Sequence, residues 1–360
     1  MSETQFPCGQ CGARVQFQPG TGVLTCPYCN HDNPIESIDV NIDEIDYEQV
    51  LARLEQNEDT VEQQIVTCNG CGGETTLAPN ITAGACAFCG NDVVAAAKSA
   101  KSIKPKALLP FRVTRDEAKA AFRKWVDGLW FAPNALKKFS RLDTRLAGMY
   151  VPYWTYDADA DSSYTGQRGD AYYVTQSYTT TVDGKSVTRT RQVRKIRWTW
   201  VSGRVLDEFD DILVLASTTL QAKYANKLEP WDLQNLEPYQ DDYLSGFQAE
   251  SYHVTLPEGF RKAQAIMEGH IRAHVTRDIG GDEQRISSLD TRLDEITFKH
   301  VLLPVWMSAY QYRAKSYRFL INGRTGEVQG ERPWSIWKIT FAVLGVIALI
   351  AAIALIASNS

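Results

Sequence analysis

Eight cysteines, all within the first 89 residues, are the side chains in this 360-residue chain whose spacing points to chemistry. They fall into two segments, CGQCGARVQFQPGTGVLTCPYC from Cys8 to Cys29 and CNGCGGETTLAPNITAGACAFC from Cys68 to Cys89, each reading C-x2-C-x14-C-x2-C. The offset between them is 60 at every cysteine: Cys8 with Cys68, Cys11 with Cys71, Cys26 with Cys86, Cys29 with Cys89. Gly12 with Gly72, Pro19 with Pro79 and Asp32 with Asp92 keep the same register, so the unit is an ungapped internal duplication. A C-x2-C pair on a tight turn aims two thiolates at one point. A second pair completes a tetrahedral four-sulfur site with bonds of about 2.3 Å. All eight cysteines are predicted metal ligands, holding two Zn(2+) ions, one per unit. Iron in a rubredoxin-like site also uses paired C-x2-C, but the x14 separation and the duplication fit zinc better. Four thiolates close the shell, so His31 is left outside it and no position stays open for a hydrolytic water.

The segments between the pairs are short and strand-like: RVQF and VLT in the first unit, ETTL in the second. The pattern resembles the zinc ribbon. Ribbons often contact nucleic acid, which takes several bases on one face. Here Arg14 stands against Glu3 and Asp32 in the first unit, and Cys68–Ala97 has no lysine or arginine. Protein contact is the better expectation.

The elements that position these units follow. Pro34–Thr67 carries ten acids against Arg53, which leaves the rest of a chain of net charge -5 at +4. Within it Tyr47, Val50, Leu51, Leu54, Val61 and Ile65 predict a helix from Asp46 to Gln64. Lys98, Lys101, Lys104 and Lys106 follow the second unit without an acid and read as a basic hinge. Thr114-Arg115-Asp116-Glu117 is a capping box opening a helix to about Leu129, and APNALKKF predicts a short second helix. From Leu146 the pattern turns to strands, with Asp183-Gly184 as a hairpin turn, DDILVLAS as a further strand, a helix over EGFRKAQAIMEGHIRAHVTRDIGG and terminal strands from Phe298. Val151-Pro152-Tyr153-Trp154 and Leu303-Pro304-Val305-Trp306 echo one another. With 44% hydrophobic and 22% charged residues, a chain of this length buries a core without help from its cysteines. The predicted class is α+β: two small zinc ribbons, an antiparallel-sheet-rich α+β domain and one C-terminal transmembrane helix. The predicted divisions are ribbon 1 at 1–33, an acidic helical linker at 34–67, ribbon 2 at 68–97, the hinge at 98–110, the α+β domain at 111–333 and a membrane anchor at 334–360.

Ile339–Ala357 is 19 residues without a charge, flanked by Arg332, Trp334, Trp337 and Lys338. Nineteen helical residues span roughly 28 Å, against a hydrocarbon core of about 30 Å. Tryptophan and basic residues belong at the headgroup level, the bases on the cytoplasmic side. No secretory signal opens the chain, so the expectation is a single-pass anchor at residues 339–357 in a bacterial cytoplasmic membrane, the soluble part facing the cytoplasm. There thiols serve as metal ligands rather than disulfides.

Elsewhere the search for chemistry is thin. Gly184-Lys185-Ser186 lacks the upstream glycine of a phosphate-binding loop, since Thr179 stands in its place. His270 and His274 lie on the same helical stripe as Met267 and Ile271 and read as a half-buried structural pair. Asp157 with Asp159, and Asp210 with Asp211, have no recognisable base or metal partner in the sequence. No enzyme is expected. Arg189, Arg191, Lys195 and Arg197 share one strand face by period two, a candidate surface for anionic headgroups, nucleic acid or the acidic linker.

With YVPYWTYDADADSSYTGQRGD, DIGGDEQRI, FKHVLLPVW and NGRTGEVQGERPWSIWK added to the duplicated cysteines and the apolar tail, the chain resembles over its whole length a bacterial family of zinc-ribbon membrane proteins. Their ribbon is of the transcription-factor-IIB type, and members are often labelled as relatives of the replication-restart helicase, primosomal protein N′ (replication factor Y). The resemblance implies zinc at the eight cysteines. The helicase label implies DNA unwinding, yet neither a nucleotide-binding loop nor a second helicase motif is present. The sequence-level conclusion is a non-enzymatic, membrane-anchored scaffold whose ribbons bind a cytoplasmic protein, with a nucleic-acid-associated role as the alternative.

Overall fold

Aromatic and β-branched residues recur from Tyr150 to Val214, and the chain forms two very long strands there. In the computed structural model, residues 6–36, 38, 42–55, 61–68, 74–76, 83–85, 92–94, 98–133, 136, 146–182, 185–312 and 315–358 are described. The first unit holds β1 (Gln16–Gln18), β2 (Val23–Thr25) and β3 (Asp32–Pro34), an antiparallel three-stranded sheet. Next come β4 (Ile45–Asp46), α1 (Tyr47–Glu55), β5 (Val61–Thr67), β6 (Glu74–Thr76), β7 (Ala83–Ala85), β8 (Asp92–Val94), β9 (Lys98–Ser102) and β10 (Ala107–Leu108). The rest is α2 (Arg115–Gly128), β11 (Ala147–Val182), β12 (Lys185–Leu215), α3 (Ala222–Ala225), β13 (Glu237–Pro238), β14 (Gln248–Ala249), α4 (Leu256–Ile279), β15 (Glu283–Tyr312), β16 (Lys315–Asn322), β17 (Val328–Gly330) and α5 (Ile336–Ser358). This is an α+β fold organised on a large, mostly antiparallel sheet.

β11 is the spine, paired antiparallel with β12 on one side and β15 on the other. The two Pro-x-Trp echoes face each other across it, with Val151 opposite Leu303 at the centre and a proline beside each. DDILVLAS is no separate strand, because it continues β12. β11 and β12 pair as far as Val182 with Lys185, so Lys185 and Ser186 open a strand and not the helix that a phosphate-binding loop requires; Asp183 and Gly184 lie outside the described residues. Pairing with β15 ends at Gly169, and 13 further β11–β12 pairs run on as a two-stranded arm of roughly 40 Å.

α4 lies on one face of the sheet. Thr255 and Glu258 form its capping box, and Leu256, Gly259, Phe260, Ala263, Met267, Ile271, Val275 and Ile279 are its buried stripe. They pack with Trp154, Tyr156, Ala158, Ala160, Tyr164, Val205 and Phe209. Trp154 Nε1 donates to Val254 O at 2.8 Å and the Tyr156 hydroxyl to Leu256 O at 2.7 Å, fixing the helix start over the strand. The opposite face is covered by α3, Leu228 and Trp231, packed on Met149, Val151, Tyr153 and Leu303.

Two expectations are corrected. The predicted helix over Asp46–Gln64 ends at Glu55, and Val61–Thr67 is a strand. Four of its seven residues are β-branched, which favours extended backbone. Its partner is the predicted basic hinge: Lys98–Ser102 pairs antiparallel with it, Lys101 opposite Glu62. Ala107 and Leu108, also placed in the hinge, are buried and pair parallel with β15. The capping box at Thr114 forms as predicted, whereas the short helix over 132–139 lies largely outside the described residues.

Gly259 marks the tightest approach of helix to sheet. A Cβ there would come 2.3 Å from Tyr156 Oη and 2.8 Å from Trp154 Cδ1. Gly259→Ala is therefore expected to cost about 1–3 kcal/mol. Tyr156→Phe in the same chain should recover part of that loss, both read from urea midpoints. Equal midpoints for Gly259→Ala and the parent would contradict the packing described.

Candidate metal centre

The first cysteine unit is built from two knuckles. The bridge between Pro7 and Arg14 closes the first around Cys8 and Cys11, and the pairing of Thr25 with Asp32 closes the second around Cys26 and Cys29. In each knuckle the residue after the second cysteine turns left-handed, Gly12 at φ 72° and Asn30 at φ 57°. That conformation suits glycine and, next best, asparagine. Gly12 N then donates to Cys8 O at 2.8 Å and Asn30 N to Cys26 O at 2.9 Å.

The knuckles bring four sulfurs together. Cys8 Sγ is 3.6 Å from Cys29 Sγ, Cys11 Sγ is 3.5 Å from Cys26 Sγ, and all four lie within 4.8 Å of one another. A tetrahedron of metal–sulfur bonds of about 2.3 Å has edges of about 3.8 Å, so the donor set fits a metal ion. The distances are far from a disulfide bond of about 2.05 Å. Asn33, which the sequence reading passed over, braces the cluster. Its Oδ1 accepts from Gly9 N at 2.8 Å, and its Nδ2 donates to Leu24 O at 3.2 Å and reaches Cys8 Sγ at 3.9 Å. A side-chain amide one residue past Asp32 was the available signal; Val93 stands at the matching place of the second unit.

Proton sharing among the thiols displays the repulsion a cation must relieve. For Cys8, burial raises the thiol, but the backbone N–H groups of Cys11 and Gln10, with Cys29 and Cys11, bring it down to about 6. Cys26 is lowered, chiefly by the Cys29 backbone N–H. Cys29 is pushed up to about 12: the His31 backbone N–H lowers it, and burial and the three other sulfurs overcome that. Cys11 rises too, the pull of the Ala13 backbone N–H and Cys29 being outweighed by Cys26, burial and Cys8. Two sulfurs ionise at the expense of two, and a divalent cation removes that conflict.

The unit does not stand apart from the domain. Phe17 N donates to Ser245 O at 2.9 Å, Ser245 Oγ to Val15 O at 2.7 Å, and Gly20 N to Phe111 O at 3.0 Å. The Phe17 ring sits 5.3 Å from Tyr243 and 6.2 Å from Phe247. Cys8, Val15, Phe17, Leu24 and Cys26 share one core with Phe111, Phe122, Tyr150, Trp306 and Phe319.

The duplication is visible in the backbone. Thr67 pairs with Glu74 and Ala85 with Asp92, each 60 residues beyond Pro7 with Arg14 and Thr25 with Asp32. Cys68 is buried against Ala107, Leu109 and Leu303. Cys71, Cys86 and Cys89 lie outside the described residues.

A second cluster was not legible in the sequence. Glu44, Asp157 and Asp210 bring carboxylate oxygens within 4.8 Å of one another. The expectation that Asp210 and Asp211 lack a basic partner is corrected for Asp211, whose Oδ1 lies 3.0 Å from Lys299 Nζ; the same ammonium lies 3.2 Å from Glu44 Oε1. Bulges on both sides of Asp157 bring them together, with Asp211 and Glu295 left-handed and Asp157 Oδ1 accepting from Asp211 N. Burial raises the Asp157 carboxyl to about 6, against the pull of the Asp211 N–H and Lys299. A cleft of about 580 Å³ lined by Asp210, Asp211, Lys299 and Trp231 opens beside it. Lys299, itself buried, supplies the positive charge at the centre.

The remaining candidates are surface features. His274 is half-buried with Nδ1 2.8 Å from Asp207 Oδ1, while His270 is exposed, its ring edge-on to Phe209 at 6.2 Å. Arg189, Arg191, Lys195 and Arg197 are all exposed along one face of the arm. Arg191 stacks over Tyr178 at 5.6 Å and Arg197 over Tyr172 at 5.4 Å. Acids from neighbouring strands join other arginines of this strand: Glu283 meets Arg194, and Asp161 meets Arg204.

These observations define an α+β protein with a four-cysteine cluster set into its core and a C-terminal helix, Ile336–Ala357, long and apolar enough to cross a membrane. No family model matches the chain, and no solved structure matches it. It is similar to the uncharacterized protein YdjG of Bacillus subtilis (strain 168), 27% identical over 356 residues that cover 95% of this chain and 93% of that protein.

Two outcomes follow. Cys26→Ser should remove one metal equivalent per chain and lower the unfolding midpoint of the whole domain, and metal should be released as pH falls because the thiolates take up protons. Elemental analysis beside a melt checks this, and metal loss with an unchanged melt would refute the shared core. Lys299→Met should cost about 1–3 kcal/mol at neutral pH, read from urea midpoints, by leaving buried Asp157, with half-buried Asp211 and exposed Glu44, without a counter-charge. As pH falls through about 6, Asp157 becomes neutral and the gap should narrow.

Proposed function

We propose that this protein is a non-enzymatic, zinc-binding scaffold held at a bacterial cytoplasmic membrane by its C-terminal helix, its ribbons facing the cytoplasm and binding a protein partner. The observation that carries the reading is the closed cluster at Cys8, Cys11, Cys26 and Cys29. All four tetrahedral positions are sulfur, which leaves no place for a substrate or a catalytic water. Thiolate ligands at C-x2-C spacing favour zinc over harder cations. Two ions are proposed, one per unit, the second at Cys68, Cys71, Cys86 and Cys89.

The first ribbon offers a rigid platform. Phe17 anchors it, while Tyr28, between the cysteines of the second knuckle, is 81% exposed. An exposed tyrosine on a rigid support is a common anchor in protein interfaces. Cys8, Cys11, Cys26 and Cys29 are not joined in disulfides, which accords with the proposed reducing compartment. The 22 residues of Ile336–Ala357 reach about 33 Å as a helix, enough for the hydrocarbon core, and apart from half-buried Lys338 their side chains are exposed.

The second reading, nucleic-acid association, draws on the arm, where arginines stack on tyrosines in solvent. The net charge of -5 and the few bases on the ribbons weigh against it.

A photoreactive residue in place of Tyr28 of the membrane-embedded protein separates the two. A discrete protein adduct, lost when Cys26→Ser is added, supports the scaffold. The alternative requires salt-steep DNA binding abolished by charge reversal at Arg189, Arg191 and Arg197, with no protein adduct at position 28.

A further inference from the structure

The turn after α2 is unusual for what it exposes. Leu129 and Ala132 are buried in the domain core, yet Trp130 between them is 75% exposed and Phe131 is 37% exposed. A tryptophan held in solvent by buried neighbours on both sides gains nothing from the fold itself.

Its surroundings point to what it meets. Ser335 N, just before α5, donates to Phe131 O at 2.8 Å. Lys338 Nζ, in the first turn of α5, donates to Trp130 O at 3.1 Å and to Ala132 O at 2.9 Å. The Phe131 and Trp334 rings lie 6.4 Å apart, and Arg332 stacks over Trp334 at 4.5 Å. Trp334, Ile336 and Trp337 are 54%, 78% and 75% exposed. Trp130, Phe131, Trp334 and Trp337, with Arg332 and Lys338, thus form one aromatic and basic patch continuous with the start of the apolar helix. Tryptophan rings flanked by bases are the composition of a membrane headgroup belt. Two of the patch's four aromatic rings come from the turn after α2, far before the helix in sequence.

We propose that the Trp130–Phe131 turn is a second membrane contact, lying in the headgroup layer beside the emerging helix and fixing the domain against the bilayer. The inference rests on the reading of Ile336–Ala357 as a membrane span. The occupant of the patch is lipid: it adjoins the hydrocarbon-length helix directly, and the hydrogen bonds from Ser335 and Lys338 make turn and helix start one unit. Lys338 acts as a positioning residue, since two loop carbonyls hold its ammonium.

The test uses the full chain, labelled with 5-fluorotryptophan, in nanodiscs of phosphatidylethanolamine and phosphatidylglycerol. Each of the nine tryptophans gives a fluorine resonance, those of positions 130, 337 and 200 being assigned by their loss in Trp130→Phe, Trp337→Phe and Trp200→Phe. Lipid spin-labelled near the headgroup should broaden positions 130 and 337 at least several-fold more than position 200, which is 71% exposed on β12 opposite Gln167, and a soluble gadolinium chelate should do the reverse. Lys338→Met should reduce lipid broadening at position 130 and leave it at position 337. Broadening of 337 but not 130 by lipid would overturn the proposal while leaving the span intact. Lipid broadening of neither would overturn both.

Discussion

Four thiolates cannot share a space of a few ångströms without a cation, and here that constraint reaches into the core of the fold. The cluster at Cys8, Cys11, Cys26 and Cys29 is not an appendage. Cys8 and Cys26 pack in the same apolar cluster as Phe111, Tyr150 and Trp306, and Phe17 carries the contact from the ribbon into the sheet. An ion that settles the charge among the sulfurs also holds Phe17 against Tyr243 and Phe247. The ribbon becomes a rigid surface because it shares its core with something much larger.

That larger element depends on one strand. β11 is paired along most of its length on both edges, so residues far apart in sequence meet across it. Bulges at Asp157 bend the ladder and gather Glu44, Asp211 and Lys299 into one ion cluster, the acids coming from three different segments. Beyond Gly169 the same hairpin loses its third strand and becomes an arm whose faces are both in solvent. The basic residues at Arg189, Arg191, Lys195 and Arg197 are exposed there because no element among the described residues covers them.

What the sequence made legible follows from locality. Knuckles, the Thr114 capping box and the apolar helix are set by residues within a few positions of each other, and these were readable; the Thr255 capping box was equally local but was not read. The metal site was readable for a stronger reason: chemistry demands cysteine, and duplication repeats the demand. The helix proposed through Gln64 failed because its stripe continued across a segment whose β-branched residues found a strand partner at Lys98–Ser102. Lys299 was unreadable beside Asp157 because only the β11–β15 register, Asp157 opposite Thr297, makes them neighbours. The docking of the first ribbon was also hidden. Phe17 looked like part of a small autonomous unit, and nothing local said that Tyr243 would receive it. The first ribbon, predicted as the division 1–33, shares a core with the domain.

The central claim is that metal and domain core are one cooperative unit. Hydrogen exchange of the full-length protein, with and without a chelator strong enough to strip the metal, tests it most directly. Amides of Phe17 and Gly20, which donate to Ser245 and Phe111, should lose protection together with those of the α2 helix and of Ser245 and Phe247. Loss confined to residues 8–34, with α2 and Ser245–Phe247 still protected, would contradict it.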